Sequence, residues 1–249
     1  MKNIALVSLA ILSFYATSLA QDSKHYSLQI SPGTSWFTTD DNQINSNGGV
    51  FNARITAKME KPLKGNLYYT KGIGLAFGQG GTLRHEVGGN LLPGSELDNP
   101  EWNTGDKPLV DGTDIEYKIR MIEIPIGLKY KKPTTGYSTY YVEMPLTTQI
   151  KVGTEGAISN ATIDAVDQNI GGDVHLVNWT WGLGAGVEYG INSDFSLIAG
   201  ISFHRSLFDQ LKNNGFKTAT TIEGAFEDPV SENSKARLNL VQFNFGIIF

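Results

Sequence analysis

The chain has no cysteine among its 249 residues, which excludes a disulfide framework, a thiolate metal site and a cysteine nucleophile. Charge is sparse: Asp, Glu, Lys and Arg make up 18%, against ~25% in an ordinary soluble domain. The net charge of −5 argues against general nucleic-acid binding. Beyond the first 20 residues no stretch holds the ~18 consecutive apolar residues of a transmembrane helix. Catalytic and ligand motifs are missing as well. There is no G-x-S-x-G elbow. The four histidines, His25, His85, His175 and His204, lack metal-ligand spacing. Asp40-Asp41-Asn42 and the loop residues Glu96, Asp98, Glu101, Asp106, Asp111 and Asp114 lack the EF-hand pattern and read as solvated loop. Gly72-Ile73-Gly74 and Gly182-Leu183-Gly184-Ala185-Gly186 are followed by no helix, so the phosphate-cradling mechanism is absent. No cofactor and no metal are expected.

What is present is glycine and aromatics at period two. Glycine numbers 28 and aromatics reach 10%. The last nine residues run Val241-Gln242-Phe243-Asn244-Phe245-Gly246-Ile247-Ile248-Phe249 and place Val241, Phe243, Phe245, Ile247 and Phe249 on one face. A strand that stops on a terminal aromatic is how the closing strand of a bacterial outer-membrane β-barrel looks, and the aromatic resembles the signal read by the barrel-assembly machinery. The other end agrees. Met1-Lys2-Asn3 is a positive start, Ile4 to Tyr15 an apolar run too short to span a bilayer, and Ser18-Leu19-Ala20 a small-x-small cleavage site. Residues 1–20 are therefore expected to be a signal peptide, with residues 21–249 the mature domain. With no spanning helix, a membrane protein here has to be a barrel, because backbone groups in lipid are satisfied only internally.

Alternation gives eight strands, at about 25–37, 50–60, 66–79, 115–131, 137–151, 174–190, 195–207 and 236–249. Three connections are tight turns, 61–65, 132–136 and 191–194; four are long, 38–49, 80–114, 152–173 and 208–235. Short and long alternate. The expected fold is all-β: an eight-stranded antiparallel transmembrane up-and-down β-barrel, short turns to the periplasm and long loops outside. In the sixth strand His175, Val177, Trp179, Trp181, Leu183, Ala185, Val187 and Tyr189 face lipid, while Asn178, Thr180, Gly182, Gly184, Gly186 and Glu188 face the lumen. In the seventh, Phe195, Leu197, Ala199, Ile201 and Phe203 face out. Some positions conflict. Glu116, Lys118 and Arg120 share parity with Ile122, Ile124 and Ile126, as Arg237 and Asn239 do with Phe243; strands running beyond the bilayer, or a β-bulge that resets the phase, would reconcile them. Lys71 shares parity with Leu67, Ile73 and Leu75, and snorkelling to the headgroups is one way to place it.

Ile122-Glu123-Ile124-Pro125-Ile126-Gly127-Leu128-Lys129-Tyr130, followed by Tyr141-Val142-Glu143-Met144-Pro145-Leu146, resembles a strand pair of the PorT-like outer-membrane β-barrel family. Phe203-His204-Arg205-Ser206-Leu207-Phe208-Asp209 is similar to that family's segment before the last loop, with Ser206 where Gly is usual. The resemblance spans most of residues 21–249. It implies a Gram-negative outer-membrane barrel. The family's name-giving member is linked to type IX secretion, a role not carried over.

Glu123 and Glu143 each stand two residues before a proline on neighbouring strands, and a symmetric 132–136 turn would set them face to face as an acid/base pair. The favoured reading is a lumen ion-pair network of Arg54, Lys58, Glu123, Lys129, Glu143, Lys151 and Glu188, since buried charges need partners. Pro125 and Pro145 would interrupt the ladder and mark a bend or bulge. His204 and Ser206 share a face, yet that face points inward, away from any lipid substrate, which disfavours a hydrolase. Leu91-Leu92-Pro93-Gly94 and Trp102 are read as packing the longest loop down. The expected function is a non-enzymatic barrel whose loops or lumen bind a ligand or an envelope protein. Its partners would be outer-membrane lipid, the assembly machinery and possible envelope proteins, with no nucleic acid. The alternatives are a small-solute channel, a barrel lipid hydrolase, and a soluble lipocalin-like carrier.

Overall fold

The computed structural model describes residues 24–104, 107–134, 136–212, 214–218 and 230–249. The expected signal peptide, Asp106, Thr135 of the second turn and residues 219–229 of the last loop lie outside them. Eight long strands form the fold: β1 (His25–Thr39), β2 (Val50–Lys64), β3 (Leu67–His85), β4 (Thr113–Pro133), β5 (Ser138–Ser159), β6 (Val177–Gly190), β7 (Ser196–Ser206) and β8 (Ala236–Ile248). Each pairs antiparallel with its sequence neighbour, and β8 returns to β1 with Phe245 opposite Ile30. The ring is closed, so no strand edge is left open to lipid. Among the described residues there is no α-helix, only the 3₁₀ turn Gly171–Asp173.

Parity decides what each side chain meets. On β6, Val177, Trp179, Trp181, Leu183, Ala185 and Tyr189 are exposed, while Asn178, Thr180, Gly182, Gly184 and Glu188 are buried. From Tyr189 to Trp179 the strand runs ~33 Å at ~3.3 Å per residue. Tilted by ~40°, that rises about 25 Å, the height of an outer-membrane apolar band. Aromatics mark its lower border: Tyr130, Tyr140, Tyr189, Phe195 and Phe249 are exposed, and Tyr137 stacks edge-on against Tyr189 at 6.4 Å.

The first tight connection is shorter than the sequence suggests, while the third, 191–195, is one residue longer than expected. Residues 61–64 belong to β2, and only Gly65 and Asn66 turn the chain, with Gly65 at φ +57°. Glycine is needed there because that conformation crowds a Cβ. Asn192 closes the third turn by accepting from the backbone N–H groups of Asp194 and Phe195.

The conflicting charges resolve by strand length. β3, β4 and β5 have 19, 21 and 22 residues, against 11 for β7 and 13 for β8. The long trio stands above the bilayer as a wall, and Glu116, Lys118 and Arg120 are its outer surface. Within β4 the parity never changes, and β8 likewise keeps its phase, with Arg237 outward. Bulges occur elsewhere. The β3–β4 register shifts between Ala76 and Gln79 around Gly78, whose φ is +70°. Gly74 and Ala76 therefore point inward below the bulge, and Gln79, Leu83 and His85 above it. A second shift passes over Val152, since Met121 faces Lys151 and Arg120 faces Gly153.

Pro125 and Pro145 do not produce a bulge. Each leaves a gap in one ladder, Pro125 toward β3 and Pro145 toward β6, and the register is the same on both sides of the gap. The missing N–H removes a bond without moving the strand. Lys71 points outward close to the periplasmic turn, opposite Ile126 and Met59, a position from which a lysine stem can lie on the belt with its ammonium at the headgroups.

Candidate functional site: the barrel interior and its extracellular cap

The lumen is built in two layers. The periplasmic layer is ionic. Inward positions of β2 supply Arg54, Lys58 and Glu60; β4 supplies Glu123, Lys129 and Lys131; β5 supplies Glu143 and β6 Glu188. Arg54 meets Glu123 at 3.3 Å and Lys58 meets Glu143 at 3.0 Å. Lys129 bridges Glu60 at 2.6 Å and Glu188 at 2.5 Å; Lys131 bridges the same two carboxylates at 2.5 and 2.8 Å. Four cations thus face four carboxylates, and the side chains of Glu60, Glu123 and Lys129 are each 1% exposed. Amides and a hydroxyl satisfy remaining lone pairs: Gln79 and Gln149 donate to Glu123 at 2.8 Å each, and Thr70 donates to Glu143 at 3.2 Å.

Small inward residues make this layer possible. Tyr141 reaches across the lumen, and its ring lies 4.2 Å from the Lys129 ammonium. A Cβ on Gly186 or Gly200 would stand 2.7 or 2.5 Å from the Tyr141 hydroxyl. These two glycines face each other on β6 and β7, so together they form the notch that admits the ring. Gly182 does the same for His204.

The extracellular layer is apolar. Phe37, Leu83, Ile115, Tyr117, Ile119, Met121, Ile158, Leu238 and Leu240 point into the ring and are buried. Phe37 and Tyr117 stack edge-on at 5.7 Å. The loop 86–112 folds down onto this layer and buries Leu91, Leu92 and Leu109 in it, together with Ile170 and Val174 from the following loop. Leu91 and Leu92 are therefore packing residues, as expected, while Trp102 stays half-exposed. The short strands Gly89–Asn90, Phe216–Lys217 and Val230–Ser231 form a small sheet that ties the loops together. Asp173 accepts from the Gly94 N–H at 3.0 Å and from the Ser95 hydroxyl, and Gln168 exchanges hydrogen bonds with Asp98 at 2.9 Å in both directions. Lys217 pairs with Asp41. Burial alone would raise the Asp41 carboxyl, but Lys217 and the Gln43 N–H hold it below its ordinary value. Glu232 goes the other way: burial pushes it up, and the Ser234 hydroxyl offsets only part of that.

Of the expected network, Arg54, Lys58, Glu123, Lys129, Glu143 and Glu188 converge in the ionic layer. Lys151 does not join them. It lies beside the Val152 bulge and donates to the carbonyls of Gly171 and, at 2.8 Å, Val174, pinning the 160–176 loop. Glu123 and Glu143 are not cross-strand partners. Glu123 faces Gln149, and Glu143 faces Lys129, because the two strands pair symmetrically about residue 136 rather than about the midpoint between the glutamates. Glu60 and Lys131 belong to the layer and were not expected in it. Both share inward parity with predicted members, and both sit at strand ends next to the turns.

The His204–Ser206 arrangement is not that of a nucleophile and its base. The Ser206 hydroxyl accepts from the Leu238 N–H at 2.9 Å. Arg54 donates to His204 Nε2 at 3.2 Å, with Ser202 Oγ 3.2 Å from the same nitrogen. His204 Nδ1 has no hydrogen-bond partner, so no carboxylate orients the ring as a triad requires.

The terminal residues lie on the outer wall. Phe243, Phe245, Ile247 and Phe249 are exposed, Val241 is half-buried, and Tyr26 and Phe249 exchange backbone hydrogen bonds at 2.9 and 2.8 Å to close the last rung.

Residues 5–221 match the outer membrane protein beta-barrel domain. The chain belongs to this family. No curated protein matches it. Among solved structures, Neisserial surface protein A is similar with a TM-score of 0.41 at 10% identity, covering 91% of this chain and 98% of that one. The outer membrane protein OprG from Pseudomonas aeruginosa gives 0.45 at 7%, covering 92% and 96%. The outer membrane protease OmpT from Escherichia coli gives 0.41 at 7%, covering 94% and 99%. These are distant likenesses in the course of the chain, at identities that say nothing of activity. With family and closed ring together, this is an outer-membrane β-barrel whose apolar belt faces lipid.

Proposed function

We propose that the protein is a non-enzymatic, non-conducting outer-membrane barrel that presents its extracellular crown to a ligand or an envelope partner. The observation that carries this reading is the filled lumen. An ionic layer is followed by an apolar layer, and the loop leucines close the mouth above them. Eight strands leave little more room than their own side chains need. In this reading residues 1–20 are a cleaved signal peptide, the terminal face of Val241, Phe243, Phe245, Ile247 and Phe249 is what the assembly machinery reads, and the barrel is of the PorT-like kind. The ion pairs hold the ring together and carry no chemistry.

The test is conductance in planar bilayers: the expected trace is flat at all voltages that the membrane withstands. Steady single-channel steps would favour the solute channel instead. One observation supports that second reading. A cavity of about 210 Å³ opens at the periplasmic mouth, lined by His25, Tyr68, Lys131, Glu188 and Ser196. It ends on the Lys131 and Glu188 ion pair, so conduction would need both layers above it to move.

A further inference from the structure

The lumen ends toward the periplasm in a cavity of about 210 Å³. Its floor is a closed square of charge. Lys129 touches Glu60 at 2.6 Å and Glu188 at 2.5 Å, and Lys131 touches the same two carboxylates at 2.5 and 2.8 Å. The Tyr68 ring lies 4.7 Å from the Lys131 ammonium. Between this floor and the periplasm the walls carry uncharged hydrogen-bonding groups. They are the Asn66 amide, the Thr139 and Ser196 hydroxyls and the Tyr68 phenol, with the His25 imidazole beside them. Pro133, Ile248 and the Tyr68 ring add apolar surface.

The floor selects against charge. A ligand with net charge would add an uncompensated ion to a balanced cluster, a strongly unfavourable state. A zwitterion meets the same obstacle. The Lys131 ammonium is already shared between two carboxylates and the Tyr68 face, and the Glu188 carboxylate between two lysines. The walls select for hydroxyls. Amide and hydroxyl side chains each donate and accept, as every hydroxyl of a polyol does, and the apolar side chains suit the C–H face of a sugar ring. Size sets the limit. The cavity has the room of ~7 water molecules at ~30 Å³ each, below the ~300–1,000 Å³ of a site for drug-sized ligands, so it takes one ring and not a chain. It ends blindly on the ion pairs, which suits a ligand better than a passage.

We infer that the periplasmic mouth is a binding site for a single uncharged sugar ring, held by the Asn66, Thr139, Ser196 and Tyr68 side chains over the Lys131 and Glu188 floor. The site lies at the opposite end of the barrel from the crown and does not depend on what the crown binds.

The protein is isolated from membranes in lauryldimethylamine oxide, a detergent that carries no sugar. Saturation-transfer NMR is then recorded with glucose, galactose, mannose and N-acetylglucosamine, and with alanine and glutamate as the zwitterion and the anion. Wild type transfers saturation to at least one sugar and to neither amino acid. Ser196→Phe fills the cavity and abolishes the transfer. Thr139→Val removes a hydroxyl at nearly constant volume and weakens binding about fivefold, the effect of one neutral hydrogen bond. Lys118→Gln, on the tall outer wall, leaves it unchanged. Heat-modifiable gel mobility shows that each variant is a closed barrel; for a Ser196→Phe protein that is not, Thr139→Val decides. Silence from all four sugars, or equal transfer in wild type and Ser196→Phe, would overturn the site. Alanine or glutamate binding as tightly as the sugars would overturn the assignment to an uncharged ring. Binding that appears only after residues 21–23 are deleted would give the cavity to those residues, and overturns it too.

Discussion

The two halves of the interior fill the same ring by opposite means. The periplasmic half uses long charged side chains that meet at the axis, with glycines opposite them to make room. The extracellular half uses aliphatic and aromatic side chains and then borrows more from the loops. The difference follows from what lies beyond each half. The periplasmic turns are two to a few residues and cannot fold inward, so the strands have to plug themselves, and a lysine or glutamate reaches further across the lumen than a leucine. The extracellular connections are long enough to bring their own leucines, so an ordinary apolar core forms there. Stability in the first half rests on charge balance, and in the second on shape.

That contrast can be broken from either side. Lys129→Met leaves Glu60 and Glu188 with Lys131 alone and should have the largest effect, about 3–5 kcal/mol for an uncompensated buried charge, read as loss of the heat-resistant folded band in detergent. If the loss were no greater than that of a surface change, the ionic layer would not be holding the ring. On the outer wall, Leu183→Arg places a charge in mid-belt and should cost about 2–4 kcal/mol; unchanged unfolding in detergent-extracted and refolded protein would mean that Leu183 does not face lipid. In the apolar half, Ile119→Val removes one methylene from a packed position and should cost about 0.5–1.5 kcal/mol, measurable by urea unfolding from vesicles. A larger loss there than at Lys129 would reverse the comparison.

The smallest effect belongs to the loops and depends on pH. The Asp41 carboxyl is held below its ordinary value by Lys217, so the stability it contributes is complete above about pH 4, the unfolded carboxylate value, and is lost as pH falls through the lowered one. Glu232 has the opposite sign: its raised value favours the protonated form, so its contribution is complete at low pH and is lost as pH rises through that value. Hydrogen exchange over residues 40–49 should rise on acidification in wild type and be insensitive to it in Asp41→Asn, while the barrel strands stay protected in both.

Much of this was legible beforehand because alternation is a local property. Trp179, Trp181 and Leu183 declare their face within one strand, and six of the seven expected lumen charges do meet there. The exceptions have specific causes. Lys151 was misplaced because its cross-strand partner is Met121, in the apolar layer above the ion pairs, and strand parity gives the face of a residue but not its height. Glu60 and Lys131 were missed because a charge next to a turn looks solvated until the ring shows that its neighbours lean inward. The apolar half was not seen: Glu116, Lys118 and Arg120 looked like a conflict with Ile122, Ile124 and Ile126, when in fact the strand had left the bilayer and exchanged a lipid-facing outer wall for a water-facing one.

The sequence by itself determined that the chain is a barrel, which side of each strand is wet and which connections are long, because period two and turn chemistry act within a few residues. Only the tertiary structure decided which inward residues share a level, since that depends on eight registers and the three shifts within them summed around a closed ring. Pairing at the axis and the borrowed leucines are consequences of that sum, and no single strand contains it.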